Sequence, residues 1–201
     1  MKRLLVLHSC SELLGVAVAQ VDDPAGGRLA SFSLGRRLAN ELLSAVEQVL
    51  PACEWSELRR LVVATGPGGF TGTRLSVVLA RTLAQQLAIP LHGVSGFLLA
   101  GVRLGLVEPT WLVQELPGRG QVAGLYGPDA SALGGVRELR PPRLFATGTD
   151  LPSGPQRSGQ PMIPADLDTM LAMGCEAERL GLIGPWQEVL PVYPTSPVRD
   201  R

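Results

Sequence analysis

The chain has 201 residues, of which 45% are hydrophobic and 18% are charged, and its mean hydropathy is +0.20. This composition excludes a disordered, collagen-like or coiled-coil protein, and it predicts one compact domain or two small lobes that share a core. Eighteen basic residues balance eighteen acidic ones, so no overall charge attracts nucleic acid or an anionic membrane.

Two scarce residue types limit the chemistry that the chain can perform. Lys2 is the only lysine, which excludes a P-loop lysine and a Schiff-base lysine. Histidine occurs only as His8 and His92, so a catalytic triad or a histidine metal site would have to use these two. The three cysteines are scattered and form no CxxC pair, and neither a zinc site nor a disulfide framework is predicted.

The first apolar segment, Leu4–Leu7, is too short for the hydrophobic region of a signal peptide, which needs about 7 to 15 apolar residues. No run of about 18 apolar residues occurs elsewhere, so no membrane span is predicted. We therefore expect a cytoplasmic protein whose first strand is buried.

The first quarter of the chain predicts an antiparallel meander followed by a helix. Leu4–Leu7 and Leu14–Ala19 are apolar runs separated by a polar turn, and Leu29–Leu34 alternates after the turn-forming segment Val21–Gly27. From Arg37 to Leu50, apolar residues recur at helical spacing.

A strand, a glycine-rich loop and a second helix follow. Leu61–Ala64 predicts a buried strand, Thr65–Gly72 the loop, and Thr73–Ala88 a helix that Thr71 or Thr73 would cap. This helix is apolar around most of its circumference, so we expect it to be covered on two sides. Either its own domain covers both sides, or a sheet covers one side and a helix of a partner protein covers the other.

The second half of the chain carries weaker patterns. We expect, in chain order, a strand over Pro90–Val94, a helix over Gly96–Leu106, a hairpin of Trp111–Glu115 and Val122–Tyr126, a strand over Val136–Leu139, a proline-rich loop over 147–164 and a helix over Asp166–Leu180.

The glycine loop is the segment with chemical content. Its glycines permit a close approach of the backbone, and the following helix presents free N–H groups at its N-terminus, where an anion can dock. The spacing matches neither a Walker motif nor a dinucleotide-binding fingerprint. The loop is therefore either an anion site or a tight strand-to-helix turn without a ligand.

The histidines have both a structural and a catalytic interpretation. His8 follows the first strand beside Ser9 and Cys10, which allows a Ser/His or Cys/His nucleophile to be considered. His92 lies inside an apolar strand, where a packed histidine is the more common finding. We expect a structural role for both.

The loop from Thr65 to Leu75, the alanine- and leucine-rich helix after it and the sequence Gly93–Ser95 at the end of the next strand resemble the TsaB (YeaZ) family. The resemblance implies an α/β, actin-like ATPase (ribonuclease H-like) fold with two lobes. These would span residues 1–106 and, as a shortened C-terminal lobe, 107–201.

Members of this family pair with the catalytic subunit TsaD and the ATPase TsaE to make N6-threonylcarbamoyladenosine at position 37 of tRNAs that read ANN codons. The resemblance thus implies a non-catalytic dimerisation and activating subunit that scaffolds a TsaD-type subunit, can form a homodimer and reaches tRNA only through the complex. It implies no metal and no tightly bound cofactor, with ATP or ADP only at the partner interface.

The resemblance also assigns two sets of candidate residues and no catalytic one. The glycine loop, as a contact for nucleotide or partner, comprises Gly66, Pro67, Gly68, Gly69, Phe70, Thr71, Gly72 and Arg74. The partner interface on the first two helices comprises Leu38, Leu42, Leu75, Val77, Leu79, Ala80, Ala84 and Ala88.

The chain departs from the family at the end of the first strand, where His8-Ser9 replaces the usual Asp-Thr. This removes the carboxylate that actin-like phosphotransferases use near Mg²⁺. The alternative function is an enzyme that acts on its own, either a glycoprotease-like metallopeptidase or an actin-like nucleotide phosphotransferase. The first requires paired histidines at a metal and the second a strand-end aspartate, and the sequence shows neither pattern.

Overall fold

The computed structural model describes residues 2–194, except for the side chain of Phe70. The α-helices of this part are α1 (Leu38–Val49), α2 (Phe70–Leu87), α3 (Gly96–Leu104) and α4 (Ala165–Arg179). Its strands are β1 (Arg3–His8), β2 (Leu13–Gln20), β3 (Asp23–Ser33), β4 (Leu58–Ala64), β5 (Leu91–Val94), β6 (Thr110–Leu116), β7 (Gly120–Pro128), β8 (Val136–Phe145) and β9 (Gln156–Ser158).

The first sheet has the strand order β3-β2-β1-β4-β5. β1, β2 and β3 form an antiparallel meander, whereas β4 pairs in parallel with both β1 and β5. Strands that run in the same direction need crossover connections, and α1 and α2 supply them before and after β4. This topology confirms the expected actin-like, ribonuclease H-like fold class.

Helices cover both faces of the first sheet. Leu5 and Leu7 of β1 are fully buried in the cluster that includes α1 and α2, whereas Leu4 and Val6 are fully buried in the cluster that includes α4. Coverage of both faces explains why β1 reads as a continuous apolar run without alternation.

α4 lies in the C-terminal half of the chain but packs against the first sheet. A Cβ atom at Gly174 would lie 2.7 Å from Leu4 Cδ2 and 2.9 Å from Val62 Cγ2, so this glycine allows the helix to lie close to the strands. The lobe boundary between residues 106 and 107 stays a prediction.

The second sheet has the strand order β8-β7-β6-β9. Its inner face packs against α3, where the buried Phe97 meets the ring of Tyr126 edge-on with centroids 6.2 Å apart. Its outer face carries a smaller cluster around Trp111 and Phe145, whose rings also meet edge-on, at 6.0 Å.

Most of the predicted elements are confirmed within a few residues: the meander, both crossover helices, the β6–β7 hairpin and α4. α3 ends at Leu104, before the predicted Leu106, because Gly105 adopts a left-handed φ of 59°. None of the helices in residues 2–194 has the length and apolar character to span a membrane.

β3 begins at Asp23, within the segment that the sequence predicts as a turn. Only Val21 and Asp22 form the turn. A Cβ at Gly27 would lie 2.8 Å from the carbonyl oxygen of Val18, so glycine lets this strand approach β2 closely. β3 lies at the edge of the sheet, where Pro24 is tolerated.

Two more corrections concern the second sheet. β8 continues past the predicted Leu139 to Phe145, through two prolines that an edge strand with irregular register can accommodate. β9 lies inside the predicted loop 147–164. Its three residues are polar and exposed, so they carry no apolar pattern that would predict a strand.

Candidate functional site

The glycine loop between β4 and α2 is an ordered turn held by backbone hydrogen bonds. The carbonyl of Thr65 accepts from the N–H of Val192 at 2.7 Å, and that of Gly66 accepts from the N–H of Gly96 at 2.6 Å. Gly66 has a φ of 107°, which favours glycine. Pro67 is buried.

The inner side of the loop packs against the end of β1. A Cβ at Gly68 would lie 2.3 Å from the carbonyl oxygen of Cys10 and 2.6 Å from its Cα, so this position accepts only glycine without movement of the backbone. Gly68 and Gly69 are exposed, as are Thr71 and Arg74, but only Gly69 of the two glycines has open space where a Cβ would lie. Only the outer side of the loop is therefore open to a ligand or partner.

α2 begins at Phe70, three residues before the predicted Thr73. Its N-cap is Gly69, so the prediction that Thr71 or Thr73 caps the helix is wrong. Gly72 is helical despite the low helix propensity of glycine. Its carbonyl accepts a hydrogen bond from Ser9 Oγ at 2.9 Å, and a Cβ there would lie 2.9 Å from the Ser9 carbonyl oxygen. A tertiary contact thus sets the start of the helix.

The potential nucleophiles at the end of β1, Ser9 and Cys10, are buried and contact neighbouring residues. Ser9 Oγ also lies 2.7 Å from Ser76 Oγ, so its hydroxyl is held on the α2 side. Burial raises the pKa of the Cys10 thiol to about 11. The backbone N–H of Cys10 donates a hydrogen bond to His8 Nδ1, with 3.4 Å between the two nitrogen atoms. The arrangement supports a structural role for this segment.

His8 faces a buried carboxylate. Its Nε2 lies 3.7 Å from Asp166 Oδ2 at the start of α4, and both side chains are fully buried. Asp166 forms an ion pair with Arg103 of α3 and accepts the N–H of Met162 at 2.6 Å. Burial lowers the pKa of His8 to about 4 although the negative charge of Asp166 acts in the opposite direction. The cluster connects β1 to both helices, and no spacing in the sequence links Asp166 to His8.

His92 belongs to a separate cluster on β5. Arg60 of β4 is 2% exposed, contacts His92 Nε2 and forms a 3.0 Å ion pair with Glu178 of α4. Burial, followed by the charge of Arg60, lowers the pKa of His92 to about 4. The two histidines thus have different partners. In residues 2–194, no three His, Cys, Asp or Glu side chains form a group that could hold a metal ion.

The structure places half of the predicted interface residues in the core of this chain. Leu42, Val77, Ala80 and Ala84 are at most 7% exposed, so these side chains contact the first sheet and its helices and do not face a partner. Leu38, Leu75 and Leu79 are half-buried, and Ala88, the left-handed C-cap of α2, is exposed.

Two other apolar side chains of this helix pair are exposed. Leu43 of α1 is 48% exposed and Val78 of α2 is 52% exposed. Both helices start at the same end of the sheet, because Leu38 packs beside Gly72. Leu43 lies between one and two helical turns beyond Leu38, and Val78 lies between one and two turns beyond Gly72. We call these two residues, with the half-buried Leu75 and Leu79, the outer helix face.

The three cysteines differ in exposure, which gives a direct test of the packing around β1. Cys53 is exposed, whereas Cys10 and Cys175 are buried and have raised pKa values because of burial. We expect a disulfide reagent such as DTNB to modify one thiol per native chain within minutes and three after unfolding in urea. Rapid reaction of Cys10 in the native protein, seen by mass spectrometry, would contradict the packing.

Comparisons with known proteins match both the loop region and the fold. A family model described as TsaD, tRNA N6-adenosine threonylcarbamoyltransferase, matches residues 32–103. The tRNA threonylcarbamoyladenosine biosynthesis protein TsaB of Bacillus subtilis (strain 168) is 34% identical over 130 residues, which are 61% of this chain and 54% of that protein. An uncharacterised protein of Mycobacterium leprae (strain TN) is 38% identical over 74 residues, 37% of this chain and 20% of that protein. The chain thus spans about half the length, or less, of these curated relatives.

The solved structures cover nearly the whole chain. YeaZ from Pseudomonas aeruginosa has a TM-score of 0.68 and 21% identity, covering 96% of this chain and 100% of that one. A protein described as similar to the peptidase YeaZ from Pseudomonas aeruginosa has a TM-score of 0.69 and 21% identity, covering 97% and 100%. At this identity the likeness shows the fold. Together with the sequence matches, it makes the chain similar to the TsaB (YeaZ) family.

Proposed function

We propose that this chain is a non-catalytic dimerisation and activating subunit of the complex that makes N6-threonylcarbamoyladenosine at position 37 of tRNA, and that it scaffolds a TsaD-type catalytic subunit. The observation that carries the proposal is the outer helix face, with Leu43 of α1 and Val78 of α2 about half exposed. The name of the Bacillus subtilis relative supports the pathway. Residues 32–103, which the TsaD family model matches, include both helices and the loop.

The residues at the end of β1 support the proposal that the partner, and not this chain, carries the catalytic residues. His8 stands where a phosphotransferase needs a carboxylate, and it is buried against Asp166. Cys10 fills the inner side of the loop at Gly68, so the residues present do not fit a nucleotide and its metal inside this chain. In our proposal, ATP or ADP contacts only the open side of the loop, at Gly69 and Arg74, where the partner would complete the site.

The outer helix face is suited to a partner helix. Each of its half-exposed side chains gains roughly 1 kcal/mol when the remaining apolar surface is buried. A single charge placed there opposes association, because a partner would have to bury it without a counter-ion. In the proposal this face serves the TsaD-type subunit, the same face allows a homodimer when that subunit is absent, and a TsaE-type ATPase joins the assembled pair.

Co-expression with the cognate TsaD-type subunit tests the proposal. We expect a stable heterodimer, and we expect Leu43→Glu combined with Val78→Glu to weaken it at least 100-fold in sedimentation or calorimetric titration. Leu139→Glu is the matched control, because Leu139 is 37% exposed on β8 of the second sheet, and it should change the affinity less than threefold. Ala84→Glu is unsuitable because Ala84 is fully buried and the variant would fail to fold.

Two results would overturn the proposal. One is failure of the wild-type chains to associate at micromolar concentrations. The other is association of the Leu43→Glu/Val78→Glu variant with unchanged affinity, provided that its circular dichroism and thermal midpoint match those of the wild type.

A further inference from the structure

Two arginines on the outer face of the second sheet lie over aromatic rings. The guanidinium carbon of Arg140 is 6.0 Å from the centroid of Trp111, and that of Arg143 is 4.6 Å from the centroid of Phe145. Both arginines are exposed, whereas Trp111 is 3% and Phe145 is 5% exposed. The charged guanidinium groups thus lie over the outer aromatic cluster, while both arginine side chains stay exposed to solvent.

Within the described part of the chain, these two arginines have no acidic partner. No carboxylate of residues 2–194 forms an ion pair with either guanidinium. Other arginines of this part of the chain do have acidic partners: Arg3, Arg28, Arg37, Arg60, Arg103 and Arg137. A guanidinium that already lies over a ring has less side-chain freedom to lose when an anion binds to it.

The rest of the outer face adds hydrogen-bonding groups. A cleft of about 320 Å³ is lined by Gln121, Gln156, Arg157 and Ser158, among others. Glu115 also lines this cleft and is the acidic side chain that an anion there would meet. Amide, hydroxyl and guanidinium groups are those that proteins use to contact phosphate and sugar.

We propose that this outer face contacts the sugar-phosphate backbone of tRNA through Arg140 and Arg143. The inference rests on the proposed function, since tRNA is the substrate of that complex. It replaces the expectation that the chain reaches tRNA only through its partners. The net charge of zero does not oppose it, because a guanidinium contact with a phosphate acts locally and is independent of base sequence.

Fluorescence anisotropy with the full chain and a labelled, unmodified tRNA transcript that reads an ANN codon tests the inference. The variant Arg140→Gln/Arg143→Gln removes two charges but keeps polar side chains of moderate length. We expect it to bind at least tenfold more weakly, and the slope of log K against log salt to fall by about 0.7 to 0.9 for each arginine. Arg140→Lys/Arg143→Lys keeps the charges and should retain most of the salt dependence.

The matched control is Arg36→Gln/Arg59→Gln, which removes the same charge from exposed positions before α1 and on β4. We expect less than a twofold change in tRNA affinity. The inference is overturned if the wild-type chain shows no saturable binding, if Arg140→Gln/Arg143→Gln binds like the wild type, or if the control loses as much affinity. Equal competition by heparin at matched charge would also overturn it, because the surface would then select any polyanion.

The assay uses this chain without a partner. Its result therefore does not depend on whether the TsaD-type subunit binds the outer helix face, and failure of either proposal can be told from failure of the other.

Discussion

Replacement of Gly68 by alanine is expected to lower the free energy of unfolding by about 3 kcal/mol, whereas the same change at Gly69 lowers it by less than about 1 kcal/mol. The two positions are adjacent in one loop, so the comparison separates a local packing requirement from a general loss of loop flexibility. Urea unfolding of both variants, with comparison of the midpoint and the slope, measures the difference.

The physical reason lies at the end of β1. The added Cβ at position 68 would lie 2.3 Å from the carbonyl oxygen of Cys10, and this backbone follows the central strand of the first sheet, which cannot move without disturbing its neighbours. Gly68 does not have a left-handed φ, so space alone requires the glycine. Gly69 is the N-cap of α2 with open space around it, and alanine there loses only the modest N-cap preference for glycine.

The outcome also tests the geometry of the candidate site. If both variants are destabilised equally, the loop does not pack tightly on Cys10, and its inner side does not exclude a nucleotide by lack of space. If Gly68→Ala alone is affected, the tight turn is a structural requirement of the fold, and ligand contacts are restricted to the outer side.

The sequence predicts β1, β2 and β4 well because these strands contain continuous apolar runs, and it predicts α1 from its amphipathic pattern. It placed the start of α2 too late, since glycines have low helix propensity and the contact of Gly72 with Ser9 cannot be read locally. β9 was missed because Gln156–Ser158 carries no periodicity. In both cases a contact between distant segments, Gly72 with Ser9 and β9 with β6, outweighs a local preference.

The candidate site shows the same division. The glycine loop and the helix pair were found from local patterns, but exposure could not be, because it depends on how α1 and α2 pack on the sheet. Ala84 and Val78 both lie on a helix that reads as apolar nearly all round, and the fold buries the first and leaves the second 52% exposed. The cluster of His8 with Asp166 joins β1 to the start of α4, and no sequence pattern in either segment predicts this contact.

Acidification from pH 6.5 towards pH 4 is expected to destabilise the protein, with His8 contributing about 3 kcal/mol over the whole window. The pKa of His8 is lowered from 6.5 to about 4 by burial. Between these values the unfolded chain binds a proton at His8 that the folded chain does not. The stabilisation is therefore fully present above pH 6.5 and is lost as the pH falls to the folded pKa.

His92 shifts in the same direction, to about 4, but its partial exposure makes its contribution smaller because solvent screens the charge. Since the chain has only two histidines, single variants can assign the effect. His8→Asn does not titrate and retains an acceptor for the N–H of Cys10. We expect it to be less stable than the wild type at pH 7 but to have a much flatter dependence between pH 6.5 and 5.

The measurement is the free energy of unfolding in urea at constant ionic strength from pH 7.5 to pH 5, a range in which most carboxylates remain ionised. His92→Asn is the control, and it should keep most of the wild-type slope because His8 is intact. A His8→Asn variant that retains the full wild-type slope would show that His8 is not buried neutral beside Asp166. A flat profile in the wild type would show the same. Either result would reopen a role for His8 in chemistry at the end of β1, because a solvated imidazole there would be able to exchange protons near neutral pH.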